Sequence, residues 1–519
     1  MDHFSEIKPV LNKLSKLNIY DSLDVVSRYM RDSLKGSTKR TIEEVNSPKI
    51  NAIEVYFADF LIINILKYST ESKSELSLRD VNTRYKICRP VSILCDKVNS
   101  LLNEKDPLVA LVAYMNNQAN IHRTSNPLVE CYRYYHIYSS PLICDFFQKK
   151  FGFTVKQYFQ LSFYIYACFD KCIHRPEPYL FKVEFKDHCY KLALRVLLDN
   201  ISLELSDLKT RCRQYCNYES ERIFHYGNDA PHIKFPLIRC YQGYCCVMPT
   251  YILSALFEGI YYQLDIPNAS QEIIAEFGHN FETYIGKILE HELNGTNIRF
   301  RSEITYSSGK DRNQKSSDWI IWDDKGICFL DCKAKRISIE GKRSTSINED
   351  LIEKIIEIQP FSQKKKREVI DTLPQGLEKD LINFGIDLGK VFTCYDEYSE
   401  QKIDSFPYNS ELAVYACILT LEDGYTYTPE YKKWIIRIAQ SYRTYKTKKF
   451  IPIYDKQVKL ISARMFENDA DKLPKFGVCE FFNSVPILKK NLPHKTLNYL
   501  KEKFTSELYN PFMADIETR

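Results

Sequence analysis

Long apolar runs are missing from this 519-residue chain: the longest, Leu161–Phe169, is far shorter than the roughly 20 residues that span a bilayer. The opening MDHFSEIKPVLNKLSKL carries acidic residues early and has no apolar signal core, so a cytoplasmic protein without membrane association is expected. Internal repeats and low-complexity tracts are also missing, which argues against a solenoid or a disordered array. Excess charge is slight. A formal net charge of +5 neither demands nor excludes a nucleic-acid partner, and any basic surface must be local. Cysteine is not scarce, but 17 of them, an odd number scattered through a long chain, do not form the framework of a secreted disulfide protein. Neither Cys168 with Cys172 and His174, nor Cys212 with Cys216, nor Cys240 with Cys245 and Cys246 has the second close pair that a zinc site needs. All are expected as buried thiols.

What is present is a globular composition, 44% hydrophobic and 27% charged, in a chain too long for one ordinary core. Residues 1–235 read as a mostly helical accessory or recognition domain, with helix-like apolar segments at Val55–Leu66, Pro107–Met115 and Val155–Phe169. The tyrosine-dense CYRYYHIYSS from Cys131 is expected to pack inside such helices. Residues 236–269 read as a connection: a hairpin of Phe235–Tyr241 and Tyr244–Met248 about Gln242-Gly243, then a helix opened by Pro249 and running to about Leu264. Residues 270–480 form the next domain and 481–519 a helical tail, with a polar surface helix at Lys489–Leu508.

Within 270–480 the pattern predicts a helix over Ser270–Leu293 with an apolar stripe of Phe277, Phe281, Tyr284, Ile285 and Ile288. Glu282 falls at the edge of that stripe. A strand over Ile298–Tyr306 follows. Asn348–Ile358 reads as a helix with Asn348 as its cap, Glu411–Leu421 as a buried central strand, Trp434–Arg443 as a helix and Gln457–Ala463 as a strand.

The chemistry concentrates in SSDWIIWDDKGICFLDCKAKR, Ser316–Arg336. Two short apolar strands, Asp318–Asp323 and Ile327–Lys335, flank Asp324-Lys325-Gly326. A turn centred between Asp324 and Lys325 pairs residues whose numbers sum to 649, which sets Asp318 across from Asp331. Period-two alternation puts Lys333 on the face of Asp331. Like charges directly opposite destabilise a strand pair, and two half-desolvated carboxylates resist joint ionisation. A hard divalent cation relieves both penalties, and a nearby lysine can then orient water or stabilise charge on a phosphate.

These residues, in the order helix, strand, hairpin, helix, buried strand, resemble the core of the PD-(D/E)XK, or restriction-endonuclease-like, nuclease superfamily. Ser317-Asp318 stands for the first motif element, with serine in place of proline, and Asp331-Cys332-Lys333 for the second. Glu282 in FGHNFETYIGKIL matches the acidic residue that many members carry on the preceding helix. The resemblance covers roughly 270–425. It implies an α/β (mixed α+β) fold with a central mixed sheet flanked by helices, and metal-dependent hydrolysis of a phosphodiester, in DNA rather than RNA. Asp318, Asp331 and Glu282 would bind Mg²⁺ or Mn²⁺, and Lys333 would act in catalysis, with Lys335 as its rival. Lys335, Arg336 and the basic run Lys364, Lys365, Lys366 and Arg367 are the expected nucleic-acid contacts. By analogy the chain belongs with prokaryotic restriction, defence or mobile-element systems, acting as a homodimer or with a partner of the same system. A nuclease fold that has lost catalysis and persists as a nucleic-acid-binding or assembly module is the alternative.

Overall fold

The computed structural model describes residues 3–34, 55–72, 76–102, 126–172, 178–215, 230–308, 311–334, 347–357, 372–400, 409–422, 429–484 and 494–516, with 338, 344 and 370. They form mixed α/β structure in two compact units. The first comprises residues 1–135, 144–269 and 504–519; the second comprises 136–143 and 270–503. No helix among the described residues is long and apolar enough to cross a membrane. The expected helix Pro107–Met115 and the basic residues Lys335, Arg336, Lys364, Lys365, Lys366 and Arg367 lie outside the described residues.

In the first unit the helices His3–Leu14, Ile19–Leu34, Val55–Tyr68 and Leu205–Tyr215 bury Leu14, Val26, Ile62 and Leu208 in one core. The helix Val155–Cys172 also forms as its apolar pattern predicts. The hairpin is there too, as strands Leu237–Cys240 and Gly243–Cys246. It joins a strand absent from the sequence reading, Ser202–Glu204, which runs parallel to Leu237–Arg239. That strand is only three residues long and follows a helix directly, so it leaves no readable alternation. Pro249 opens a helix that continues through a π-turn at Ser254–Glu258 to Gln263. The segment expected as a polar surface helix is less polar than its sequence suggests: Phe504 and Leu508 are buried in this unit, and Leu500 in the second.

The second unit is built on a five-stranded mixed sheet. Helix α1 (Gln271–Leu293) is capped by Ser270, whose Oγ accepts from the Ile273 N–H, and it buries the whole expected stripe together with Leu289. Strand β1 (Arg299–Ser302) ends earlier than alternation alone suggests. Beyond Ser302 the chain leaves the sheet and pairs with its own return, β2 (Thr305–Ser308) against β3 (Asp311–Lys315). The crossing is held by Ser316, which bonds the Ile304 backbone N–H through Oγ and the Ile304 carbonyl through its own N–H. Strands β4 (Trp319–Trp322) and β5 (Gly326–Lys333) follow, then α2 (Glu349–Glu357), α3 (Leu377–Ser399), β6 (Ala413–Thr420), α4 (Pro429–Thr447), β7 (Val458–Ser462) and α5 (Ala463–Asp469). The strand order is β7-β6-β5-β4-β1. β1, β4 and β5 pair antiparallel, and β5, β6 and β7 pair parallel. β6 is therefore flanked on both sides, which explains its continuous apolar run.

Helix α3 is the element that the sequence pattern does not announce. Its segment LEKDLINFGIDLGKVFTCYDEYS carries two glycines and several β-branched or aromatic residues, all weak helix formers. Packing explains both glycines. A Cβ on Gly385 would come within 2.5 Å of Ile438 Cβ, and one on Gly389 within 2.8 Å of Tyr442 Cδ1. One glycine per turn on the same helix face thus lets α3 lie tightly along α4. A buried ion pair closes the helix pair: Arg443 donates Nε–H to Asp396 Oδ2 at 2.8 Å and its terminal nitrogen to Oδ1 at 2.5 Å.

Candidate active site

The turn between β4 and β5 sets the geometry of the site. Asp323 Oδ1 accepts from the backbone N–H groups of Lys325 at 2.9 Å and Gly326 at 2.8 Å, an Asx-turn that closes the loop. Its other oxygen accepts from the Val478 N–H at 2.7 Å and ties the turn to the rest of the unit. The resulting ladder pairs Trp319 with Leu330, Ile320 with Phe329, Ile321 with Cys328 and Trp322 with Ile327. Each pair sums to 649, the register expected from the turn. One step past the ladder stands Asp318, whose Oδ2 accepts from the Cys332 N–H at 2.6 Å. Asp331 is buried, and Lys333 pairs with it through Nζ to Oδ2 at 2.5 Å.

The electrostatics are uneven. Burial, then the charge of Asp331, push the Asp318 carboxyl up to about 8; Glu282 adds to this, while Lys333 and the Cys332 N–H oppose it. For Lys333, burial works against the ammonium, but Asp331, Asp387 and Asp318 outweigh it and hold its pKa above the ordinary value. The lysine is thus a cation here, a donor rather than a base.

Glu282 comes to the site from the other side of the sheet. α1 packs on the Trp319–Leu330 face, where a Cβ on Gly286 would collide with the Trp319 ring at 2.3 Å. The Trp319 indole N–H also points to the Glu282 carbonyl at 3.3 Å. Phe329, Asp331 and Lys333 alternate onto the opposite face, where α3 brings Tyr395 and Tyr398 edge-on to Phe329. The Glu282 carboxylate lies 3.4 Å from His279 Nδ1 and acts on Asp318 through its charge. Asp318, Asp331 and Lys333 are brought together; Glu282 is a neighbour.

Four polar residues around the site went unnoticed in the sequence. Lys315 pairs with Glu303 at 2.8 Å, and its raised pKa, due first to that bond, also reflects Glu282 and Asp318. On α3, Asp387 acts on Lys333, Cys394 lies near Ser317 and Asp331, and Glu397 accepts from the Tyr306 hydroxyl. The spacing Asp387, Cys394, Glu397 is a helical stripe, and recognising α3 would have revealed it.

The donor set is oxygen-rich and anionic, as a hard cation requires, and a cation that displaced the Asp318 proton would remove the repulsion between the carboxylates. Among the described residues no group of three or more His, Cys, Asp or Glu side chains is arranged to hold a metal ion. The fit therefore rests on the chemistry of two apposed carboxylates, with Glu282 as the third candidate. Comparison with protein-family models, with curated proteins and with solved structures finds no match.

Proposed function

We propose that the chain is a metal-dependent nuclease of the PD-(D/E)XK type that hydrolyses phosphodiester bonds in nucleic acid, DNA in preference to RNA. The observation that carries this reading is the apposition of Asp318 and Asp331 at the end of an apolar hairpin, with the Lys333 ammonium on Asp331. The element order α1, β1, hairpin, α2, β6 supports it, because it is the order that the resemblance implies. Asp318 and Asp331, joined by Glu282, would hold Mg²⁺ or Mn²⁺, which supplies Lewis-acid stabilisation of the phosphate and a more acidic water. Lys333, kept protonated by its three carboxylate neighbours, donates to the phosphate oxygens or positions the attacking water. Lys335, Arg336 and the run Lys364 to Arg367 would contact the phosphate backbone.

The second reading, a catalytically silent binding or assembly module, draws on the fact that no three-donor group is formed among the described residues. One experiment separates the two. Mn²⁺ is titrated calorimetrically into the full chain, and plasmid and single-stranded DNA and RNA are assayed in parallel. Metal binding with cleavage, both lost in Asp331→Ala while the protein stays folded, supports the nuclease. Nucleic-acid binding without cleavage at saturating Mn²⁺ supports the silent module, and full cleavage by folded Asp331→Ala ends the site assignment.

A further inference from the structure

The other hairpin, in the first unit, carries chemistry of its own. Leu237–Cys240 and Gly243–Cys246 pair so that Ile238 faces Cys245 and Cys240 faces Gly243. Cys240 and Cys245 therefore share one face of the hairpin, on the diagonal. Directly across from Cys240 stands a residue with no side chain, and the Cys245 thiol leans into that space: the two sulfurs are 3.6 Å apart. Gly243 has a second reason to be glycine, since a Cβ there would meet the Tyr179 carbonyl oxygen at 2.4 Å. Both thiols are half-buried, not buried as the sequence suggested, and Tyr241 at the tip is fully exposed. Tyr20 Oη lies 3.9 Å from the Cys240 sulfur. The Cys245 S–H, outweighing burial, and the Tyr20 hydroxyl pull the Cys240 thiol down to about 7, while the same contact raises Cys245. One sulfur is thus a ready nucleophile and its neighbour a thiol within reach.

We propose that Cys240 and Cys245 form a peroxide-oxidisable dithiol that closes to an intra-hairpin disulfide. The Cys240 thiolate attacks one oxygen of hydrogen peroxide; the S–O bond forms, the O–O bond breaks, and the leaving hydroxide takes a proton to become water. The Cys245 sulfur then attacks the Cys240 sulfenic acid; the S–S bond forms, the S–O bond breaks, and the departing hydroxide leaves as water with the Cys245 proton. Two thiols are oxidised to one disulfide and one peroxide is reduced to two waters.

The test uses the full reduced chain and hydrogen peroxide, followed by thiol blocking and chymotryptic digestion, which cuts after Tyr241 and Tyr244 between the two cysteines. A linked pair of peptides carrying Cys240 and Cys245, reversed by dithiothreitol, is the expected product. In Cys245→Ser, a cyclic 1,3-diketone should trap sulfenic acid at Cys240. The exposed Cys189, whose pKa is raised by Asp187, is the internal reference, and labelling at Cys240 should exceed it by about tenfold or more. Absence of the linked pair at peroxide doses that oxidise Cys189 overturns the proposal. So does a linked pair that forms equally fast in the guanidinium-unfolded chain, because the fold would then contribute nothing.

Discussion

Helix α3 borders two clusters of charge that are withdrawn from water and balanced very differently. Toward its C-terminal end Asp396 meets Arg443, one carboxylate to one guanidinium, joined by two hydrogen bonds and nearly closed to solvent. Around its middle, Asp318 and Asp331 face the Lys333 ammonium, and Asp387, itself paired with Lys390 at 2.8 Å, adds its charge from the helix. The first pair satisfies its own electrostatics and locks two helices. The second sets two carboxyls withdrawn from water against one ammonium, and burial first, then the charge of Asp331, push the Asp318 carboxyl up to about 8. A fold accepts the first kind of cluster as structure. The second costs stability in the bare protein and is repaid only by something positive that binds there.

Breaking the balanced pair should have the largest effect on stability. Arg443→Ala leaves Asp396 buried and uncompensated and should cost about 3–5 kcal/mol, read as a lower denaturant midpoint at unchanged m-value. Asp331→Ala in the unbalanced cluster should cost less, about 1 kcal/mol of metal-free stability, because Asp318 and Asp387 remain near the Lys333 ammonium, while cleavage disappears. A collapse of metal-free stability in Asp331→Ala would erase the contrast and return the hairpin to a structural role.

The acidity of Asp318 sharpens the comparison through pH. The folded carboxyl keeps its proton up to about 8, whereas the unfolded one releases it near 3.8. Its contribution to stability therefore falls as pH rises between those values and is constant outside them. Asp318→Asn, which still accepts from the Cys332 N–H, should match the parent at pH 4 and exceed it by about 1–3 kcal/mol at pH 8 without metal. In the parent, Mn²⁺ binding must expel the same proton. Affinity should climb toward tenfold per pH unit below 8 and level off above, with proton release seen calorimetrically in buffers of different ionisation enthalpy. A pH-independent affinity over 6 to 8 would place the ion elsewhere.

Glu282 should give the smallest effect, because it approaches from the α1 face. Glu282→Gln keeps shape and helix propensity and should raise the Mn²⁺ needed for half-maximal activity by a few-fold, with stability unchanged within about 0.5 kcal/mol. Gln variants of Glu276 and Glu290 on the same helix serve as controls. An unshifted activation curve would remove Glu282 from the site and leave the two aspartates.

Much of this arrangement was legible in the chain because it is local. The Asp-Asp-Lys-Gly turn and the alternation of β4 and β5 specify the 649 register, which alone brings Asp318 opposite Asp331 and sets Lys333 beside it. The α1 stripe, the Pro249 helix start and the apolar run of β6 are local in the same sense: each is a period or a terminal signal carried by consecutive residues. Tertiary structure decided the rest. α3 forms because Gly385 and Gly389 fit against Ile438 and Tyr442, a match between segments some fifty residues apart that overrides poor local propensity. Only that packing brings Asp387 within electrostatic reach of Lys333, and only the packing of Gly286 on Trp319 puts Glu282 on the far face of the sheet. In the other hairpin, spacing showed three cysteines near a turn. The diagonal pairing across Gly243, which no linear count reveals, selects Cys240 and Cys245 from the three, because a strand pair orients side chains by register rather than by nearness in sequence.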